Sequence, residues 1–276
     1  MKLAFSTNAF KRYSLAESIK EIASIGYDGV ELLCDTPHAY PPDLDKEKIQ
    51  SIRNLLSSHN MQISNLNAFT LYAINDVYHP SWIEDDEELR ESRIQHTIDC
   101  LRLAEQVGAR NISTEPGGPV NDKIKNSAEL EKIFLAGILR AAKIAEQIEV
   151  KILVEPEPAL LLENSKQFKN FMSKVNSEYV RLNFDIGHFF CVREDPASLV
   201  YELSDYTEHF HLADISDTRI HNHLIPGHGA IDFVSVFDAI DKIGYQGFVT
   251  VELYPYQSNP IDAAKVAYDY LKNIVA

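Results

Sequence analysis

The chain has 276 residues, 26 Lys or Arg against 41 Asp or Glu, a formal charge of −15, and 45% apolar residues. That length can bury roughly 75% of the unfolded surface, which excludes a disulfide-stapled miniprotein, and Cys34, Cys100 and Cys191 are odd in number, far apart and without a CxxC pair, as a reducing cytoplasm would have them. The negative charge repels nucleic-acid phosphates and anionic lipid, no apolar run approaches the ~18 residues of a spanning helix, and the opening MKLAFSTNAF turns polar at Ser6, too early for a signal peptide; the expectation is a cytoplasmic protein without nucleic-acid or membrane partners.

No low-complexity tract or linker interrupts the composition, so residues 1–276 are expected to form a single domain. Short apolar runs alternate with segments of helical spacing. The first run is 3–10 (LAFSTNAF), followed by SLAESIKEIASIG, where Ser14 reads as a helix N-cap and Gly26 as its stop. Next come 29–33 (GVELL), 63–69 (ISNLNAF), the helical ESRIQHTIDCLRLAEQVG ending at Gly108, and 111–115 (NISTE). The last four runs are 152–155 (ILVE), 182–188 (LNFDIGH), 210–215 (FHLADI) and 248–254 (FVTVELY). Eight such units predict parallel strands with right-handed crossovers closing into an α/β (β/α)8 TIM barrel. The echo between GYDGVEL at 26–32 and GYQGFVTVEL at 244–253 supports a repeated unit. An open doubly wound sheet would carry a Gly-rich fingerprint after its first strand, whereas STNAFKRYS has no glycine.

A barrel builds its site at the C-terminal strand ends. Four runs end there in polar residues: Glu155, Asp185, the pair His211 and Asp214, and Glu252. An acid at the end of a strand core is costly to bury unless it is paired or bound to a cation. Individually, Asp185 could cap a helix, Glu155 could pair with a lysine and His211 could be a satisfied core histidine; one divalent metal accounts for all of them together. His209 shares a strand face with His211 and would lie lower in the barrel. Glu157 would face inward with Glu155, and spacing does not choose between them. His221, His223 and His228 fall in a loop where solvated histidines are the default. Three carboxylates and an imidazole form a hard, oxygen-rich set, which favours Mn2+, Mg2+ or Co2+ over Zn2+ without excluding the last. The segment 69–82 (FTLYAINDVYHPSW) could serve equally as a lid, an apolar wall or a packed loop.

At these residues the chain resembles the sugar phosphate isomerase/epimerase family, the xylose isomerase-like barrels that include ketose 3-epimerases and hydroxypyruvate isomerases. The resemblance rests, in order, on KLAFSTNAF, GYDGVEL, VEP at Glu155, DIGH at 185–188, HLAD at 211–214, PGHGAIDF at 226–233 and GYQGFVTVEL. It implies metal ligands at Glu155, Asp185, His211 and Glu252, the two glutamates as acid and base on opposite faces of a bound sugar, and His188 and Arg219 against substrate oxygens. Epimerases commonly continue their glutamate into an Asn-Arg stretch, whereas PEPALLL follows Glu155 here, which leaves the substrate open.

The chemistry so implied is enediolate formation on an α-hydroxy ketone or aldehyde, by an isomerase or epimerase of a sugar or polyol. A lyase that dehydrates a keto-polyol on the same site is the alternative. An apurinic endonuclease-like hydrolase would need metal histidines on early strands, where the third run offers Asn67, and the −15 charge opposes DNA. The presence of both glutamates argues against a barrel that binds a metal or metabolite without turnover. No Gly-rich or basic cluster marks a phosphate site. Barrels of this kind often pair, so a homo-oligomer stays open.

Overall fold

The computed structural model describes residues 1–120 and 126–275. Each apolar run becomes a parallel strand: β1 (Lys2–Ser6), β2 (Gly29–Leu33), β3 (Gln62–Asn67), β4 (Asn111–Thr114), β5 (Lys151–Val154), β6 (Val180–Asp185), β7 (Thr207–Leu212) and β8 (Phe248–Val251). They pair in sequence order and β8 returns to β1, so among the described residues eight strands close into a (β/α)8 barrel. Between them run α1 (Leu15–Ile25), α2 (Lys46–Ser58), α3 (Glu87–Val107), α4 (Ser127–Ile148), α5 (Ser165–Met172), α6 (Ile186–Cys191), α7 (Pro196–Glu202), α8 (Phe233–Lys242) and α9 (Pro260–Val275). Helix ends follow local chemistry. Ser14 and Glu17 form a reciprocal capping box on α1, which stops at Gly26 with φ +115°, and α3 stops at Gly108 with φ +81°.

The predicted strand ends overshoot because rim side chains redirect the backbone. After Ser6 the chain turns into a short 3-10 helix, Thr7–Phe10, with Ser6 Oγ accepting from the Asn8 N–H and Thr7 Oγ1 accepting from the Leu33 N–H. After Asp185 it enters α6, whose first turn is capped by Asp185 Oδ1 accepting from the His188 N–H at 2.8 Å. A polar side chain that satisfies the next backbone donor ends the ladder, although the apolar run continues.

Aliphatic side chains fill the space between sheet and helices, with Trp82, Phe134 and Phe171 packed in succession under α4. The barrel interior is unlike that: below the mouth it holds a polar ladder instead of the usual branched aliphatics. Asn65 Nδ2 donates to Glu31 and to Ser113, Asn111 Nδ2 donates to Asn65, and Thr250 Oγ1 bonds Ser64 and His209. His209 therefore sits low, as its strand position predicts.

Asp214 has a structural task. Buried just beyond β7, its carboxylate accepts from the backbone N–H groups of Ile215, Gly227, Gly229 and Ile231, folding the long loop after β7 back on itself. A Cβ at Gly229 would lie 2.3 Å from Asp214 Oδ1 and 2.3 Å from the Ile215 carbonyl oxygen. Gly229→Ala is expected to cost about 1–3 kcal/mol, because backbone atoms cannot swing aside; the midpoint of urea unfolding measures it, and an unchanged midpoint would contradict this account.

Candidate metal centre and chamber

Glu155 directly follows β5, Asp185 ends β6, His211 is the penultimate residue of β7 and Glu252 directly follows β8. Parallel strands carry all four to the same rim, and all are buried. One ligand atom from each lies within 4.8 Å of the others. The His211 ring is held between acids: Nε2 lies 2.6 Å from Glu31 Oε2, while Nδ1 faces Glu155 Oε1 at 3.1 Å and Glu252 Oε2 at 3.9 Å. Glu31 is an acceptor, so Nε2 carries the proton there and Nδ1 is the nitrogen left for a cation.

Amides pin the carboxylates. Asn183 Nδ2 donates to Glu155 Oε2 at 2.8 Å; Asn8 and Asn67 donate to Glu252 Oε1 at 2.7 and 3.0 Å, and Asn67 also reaches Glu31. Burial alone would lower the His211 pKa, but Glu31, Glu155 and Glu252 outweigh it and hold the ring well above its ordinary value. Burial pushes Glu252 up to about 8, with Glu155, Glu31 and Asp185 adding to the rise against the pull of His211. Asp185 goes the other way: burial works against its anion, yet His188, His223 and His211 bring its pKa below the usual range. Its Oδ1 serves as the cap of α6, while Oδ2 is buried without a hydrogen-bond partner.

These four residues suit a divalent cation. Their donors are close enough to share one ion, Asp185 Oδ2 is a buried oxygen without a hydrogen-bond partner, and Glu252, driven to about 8 by burial and then by its neighbouring acids despite the pull of His211, is a carboxyl whose anion a bound cation would favour.

The ligands open into a chamber of about 180 Å3, lined among others by Asn8, Lys11, Tyr78, Glu157, His188 and Tyr254. A recess of about 910 Å3 at the opposite barrel end is larger, but the clustered carboxylates are not in it. His188, on α6, reaches the chamber with Nδ1 bonded to the Pro156 carbonyl at 3.0 Å. Arg219 does not: Nη1 donates to the Phe190 carbonyl and the guanidinium stacks 3.9 Å from the Phe190 ring centre, away from the chamber lining. Phe69, Tyr72, Val77 and Tyr78 make segment 69–82 a wall of the chamber, whereas Trp82 packs in the core.

Sequence reasoning missed Glu31, although an acid inside GVELL is the same signal, a charge within a strand core, that marks the other sites. It also misjudged two histidines. His223 is buried and Nδ1 donates to the Glu252 carbonyl at 2.8 Å, while His221 lines the chamber within 3.2 Å of it; only His228 is solvated. Asp214 folds the loop over, which is why these two are not on the surface. With His188 they offer a second trio of nitrogens within 4.8 Å of one another. Glu157, also buried, accepts from the Tyr78 hydroxyl at 2.7 Å.

Residues 19–274 match the model of the xylose isomerase-like TIM barrel family. Fructoselysine 3-epimerase of Escherichia coli O157:H7 is 26% identical over 268 residues, covering 94% of this chain and 92% of that protein. Inosose dehydratase of Clostridium beijerinckii is 22% identical over 281 residues, covering 95% and 90%. Among solved structures, a D-tagatose 3-epimerase-like protein superposes with a TM-score of 0.81 at 21% identity over 99% of this chain and 98% of the other. The IOLI protein, solved with a zinc atom, does so with a TM-score of 0.81 at 20% identity over 100% and 98%.

Two outcomes are expected. Below about 8 a cation-free Glu252 is largely protonated, and ligation needs its carboxylate, so Mn2+ binding at pH 7 should release protons and tighten as pH rises towards 8; titration calorimetry in buffers of different ionisation enthalpy reads this. Glu31→Gln should weaken Mn2+ roughly 10- to 100-fold by loosening the His211 ring; undiminished affinity would remove Glu31 from that role.

Proposed function

This chain belongs to the xylose isomerase-like TIM barrel family, and from that premise we propose that it is a divalent-metal-dependent isomerase or epimerase of a sugar or related hydroxy-carbonyl compound. The observation that carries this is that two buried carboxylates, Glu155 and Glu252, both approach His211 Nδ1, at 3.1 and 3.9 Å, and both line the chamber. Such a pair serves general acid–base work on a substrate lying between its members.

In each, one oxygen is fixed by side-chain amides, Oε2 of Glu155 by Asn183 and Oε1 of Glu252 by Asn8 and Asn67. The other oxygen, Oε1 of Glu155 and Oε2 of Glu252, faces His211 Nδ1 and is the one that would move a proton. One glutamate removes the proton on the carbon next to the carbonyl, giving an enediolate, and the other returns it. Return to the opposite face of the same carbon inverts that centre; transfer to the neighbouring carbon interconverts aldose and ketose. A divalent cation held by Glu155, Asp185, His211 and Glu252 supplies, when bound, Lewis-acid stabilisation of the charge on the substrate oxygens. The three-carboxylate, one-imidazole set favours Mn2+, with Mg2+, Co2+ and Zn2+ as alternatives. His188, whose pKa is raised by Asp185, Glu157, Glu155 and Glu252 against the effect of burial, donates to a substrate hydroxyl.

One observation favours a second reading, a dehydratase. Burial pushes Glu157 up to about 7, beside the Tyr78 hydroxyl, and a carboxyl there could give its proton to a leaving hydroxyl next to the enediolate. That both fructoselysine 3-epimerase and inosose dehydratase are relatives keeps the two reactions in view. A cytoplasmic location, one domain over 1–276 and Arg219 as a substrate contact remain parts of the proposal; for the last, the side chain would have to leave Phe190.

The test is exchange of substrate C–H protons with deuterated water, followed by NMR over ketoses, aldoses and keto-inositols with Mn2+-loaded protein. Exchange is expected to need the metal and to fall about 10^2- to 10^4-fold in Glu252→Gln. The product identifies the reaction as isomerisation, epimerisation or dehydration. Exchange that survives chelation, or that the substitution leaves intact, would refute the mechanism.

A further inference from the structure

Lys11 follows the 3-10 turn after β1 and is the one lysine or arginine among the described residues that line the chamber. Its Nζ lies 3.8 Å from the centre of the Tyr72 ring, and its side chain is half-buried. Among the described residues no side chain or carbonyl accepts a hydrogen bond from Nζ, and no carboxylate pairs with it. The two acids whose charge reaches it, Asp35 and Glu252, are otherwise engaged. Asp35 accepts from the backbone N–H groups of Thr36, Tyr72 and Ala73 and from the Thr70 hydroxyl; Glu252 Oε1 accepts from Asn8 and Asn67.

An ammonium has three donors and no acceptor. A ring face offsets part of its lost hydration but leaves N–H groups over. The rest of the chamber is rich in acceptors: Glu155, Glu157 and Glu252, and Asn8 Oδ1, buried without a partner. Acceptors of this kind bind the hydroxyls of a neutral polyol unaided. A cation beside them offers what they cannot, a counter-charge for an anion, and an ammonium–carboxylate or ammonium–phosphate bond is short and charge-assisted, roughly twice as strong as a bond between neutral groups.

We propose that Lys11 is a specificity-determining residue, and that the substrate is a hydroxy-carbonyl compound carrying a carboxylate or phosphate group at a carbon away from the reacting centre. The assignment rests on the sugar chemistry proposed above for its reacting end, and on the chamber alone for the anionic one. Tyr72 fixes the height of the ammonium, and Asp35, by holding the Tyr72 and Ala73 backbone, fixes Tyr72.

Binding of unreactive probes tests this without turnover. D-sorbitol, D-gluconate and D-sorbitol 6-phosphate have no carbonyl, so calorimetric titration of the Mn2+-loaded protein reads affinity alone. The wild type should prefer at least one anionic probe to sorbitol by about 10-fold or more, and Lys11→Met should lose that preference while Lys11→Arg keeps part of it. The stronger of the two anionic probes identifies carboxylate or phosphate. Equal affinity for all three probes in the wild type, absence of binding by any, or a preference that Lys11→Met retains, would each overturn the assignment. If anionic selectivity depends on Lys11 but no sugar exchanges its C–H protons, the subsite stands and the proposed reaction falls; if neutral ketoses exchange and Lys11→Met changes no preference, the reverse holds.

Discussion

Four carboxylates, from Glu31, Glu155, Asp185 and Glu252, crowd around one imidazole at the barrel mouth, and the surrounding structure is arranged to make that tolerable. An anion taken out of water costs several kcal/mol unless donors replace the water. The donors here are amides and a ring N–H rather than lysines: Asn8, Asn67 and Asn183 for the two glutamates, Asn65 and His211 for Glu31. The amides stabilise the charge without cancelling it, and the single imidazole among four acids leaves a negative well for a cation. The same requirement explains why Asn65, Asn111, Ser113 and Thr250 occupy a barrel interior that aliphatic side chains would ordinarily fill.

The loops above the barrel are held by buried charged side chains. Arg93, fully buried on α3, donates to the carbonyls of Ala68, Phe69 and Pro80, and Glu115 accepts from the Trp82 N–H. These bonds hold both ends of the 69–82 wall. Burial pushes Glu115 up to about 8 even with Arg93 at 3.5 Å, so the pair is costly to maintain. Asp35 does similar work for Thr70, Tyr72 and Ala73, and Asp214 for the loop that carries His221 and His223. Chamber walls are therefore set by side chain to backbone bonds from rigid elements, a construction suited to positioning a small polar substrate.

Much of this was legible in the chain itself. Eight runs in strict alternation with helical segments specify the barrel, because a parallel strand covered on both faces reads as a short, largely apolar run and its crossover is usually a helix. Caps such as Ser14 with Gly26 were readable for the same local reason. Glu155, Asp185, His211 and Glu252 were readable too, since an acid or a histidine closing such a run contradicts its surroundings unless it has a partner.

What the sequence could not decide is anything that depends on which distant groups meet. Asp185 and Asp214 look alike as strand-end acids, yet one keeps a buried oxygen without a hydrogen bond among the candidate metal ligands and the other is consumed by four backbone donors. His221 and His223 look solvated until the loop folds over them, and Arg219 looks poised for substrate until Phe190 takes its guanidinium. Glu31, 180 positions from His211 in the chain, fixes its tautomer. Periodicity and strand ends are local properties, written residue by residue in the chain; pairing of buried polar groups is settled by the closed barrel, where each donor is claimed by whichever acceptor the tertiary fold places nearest.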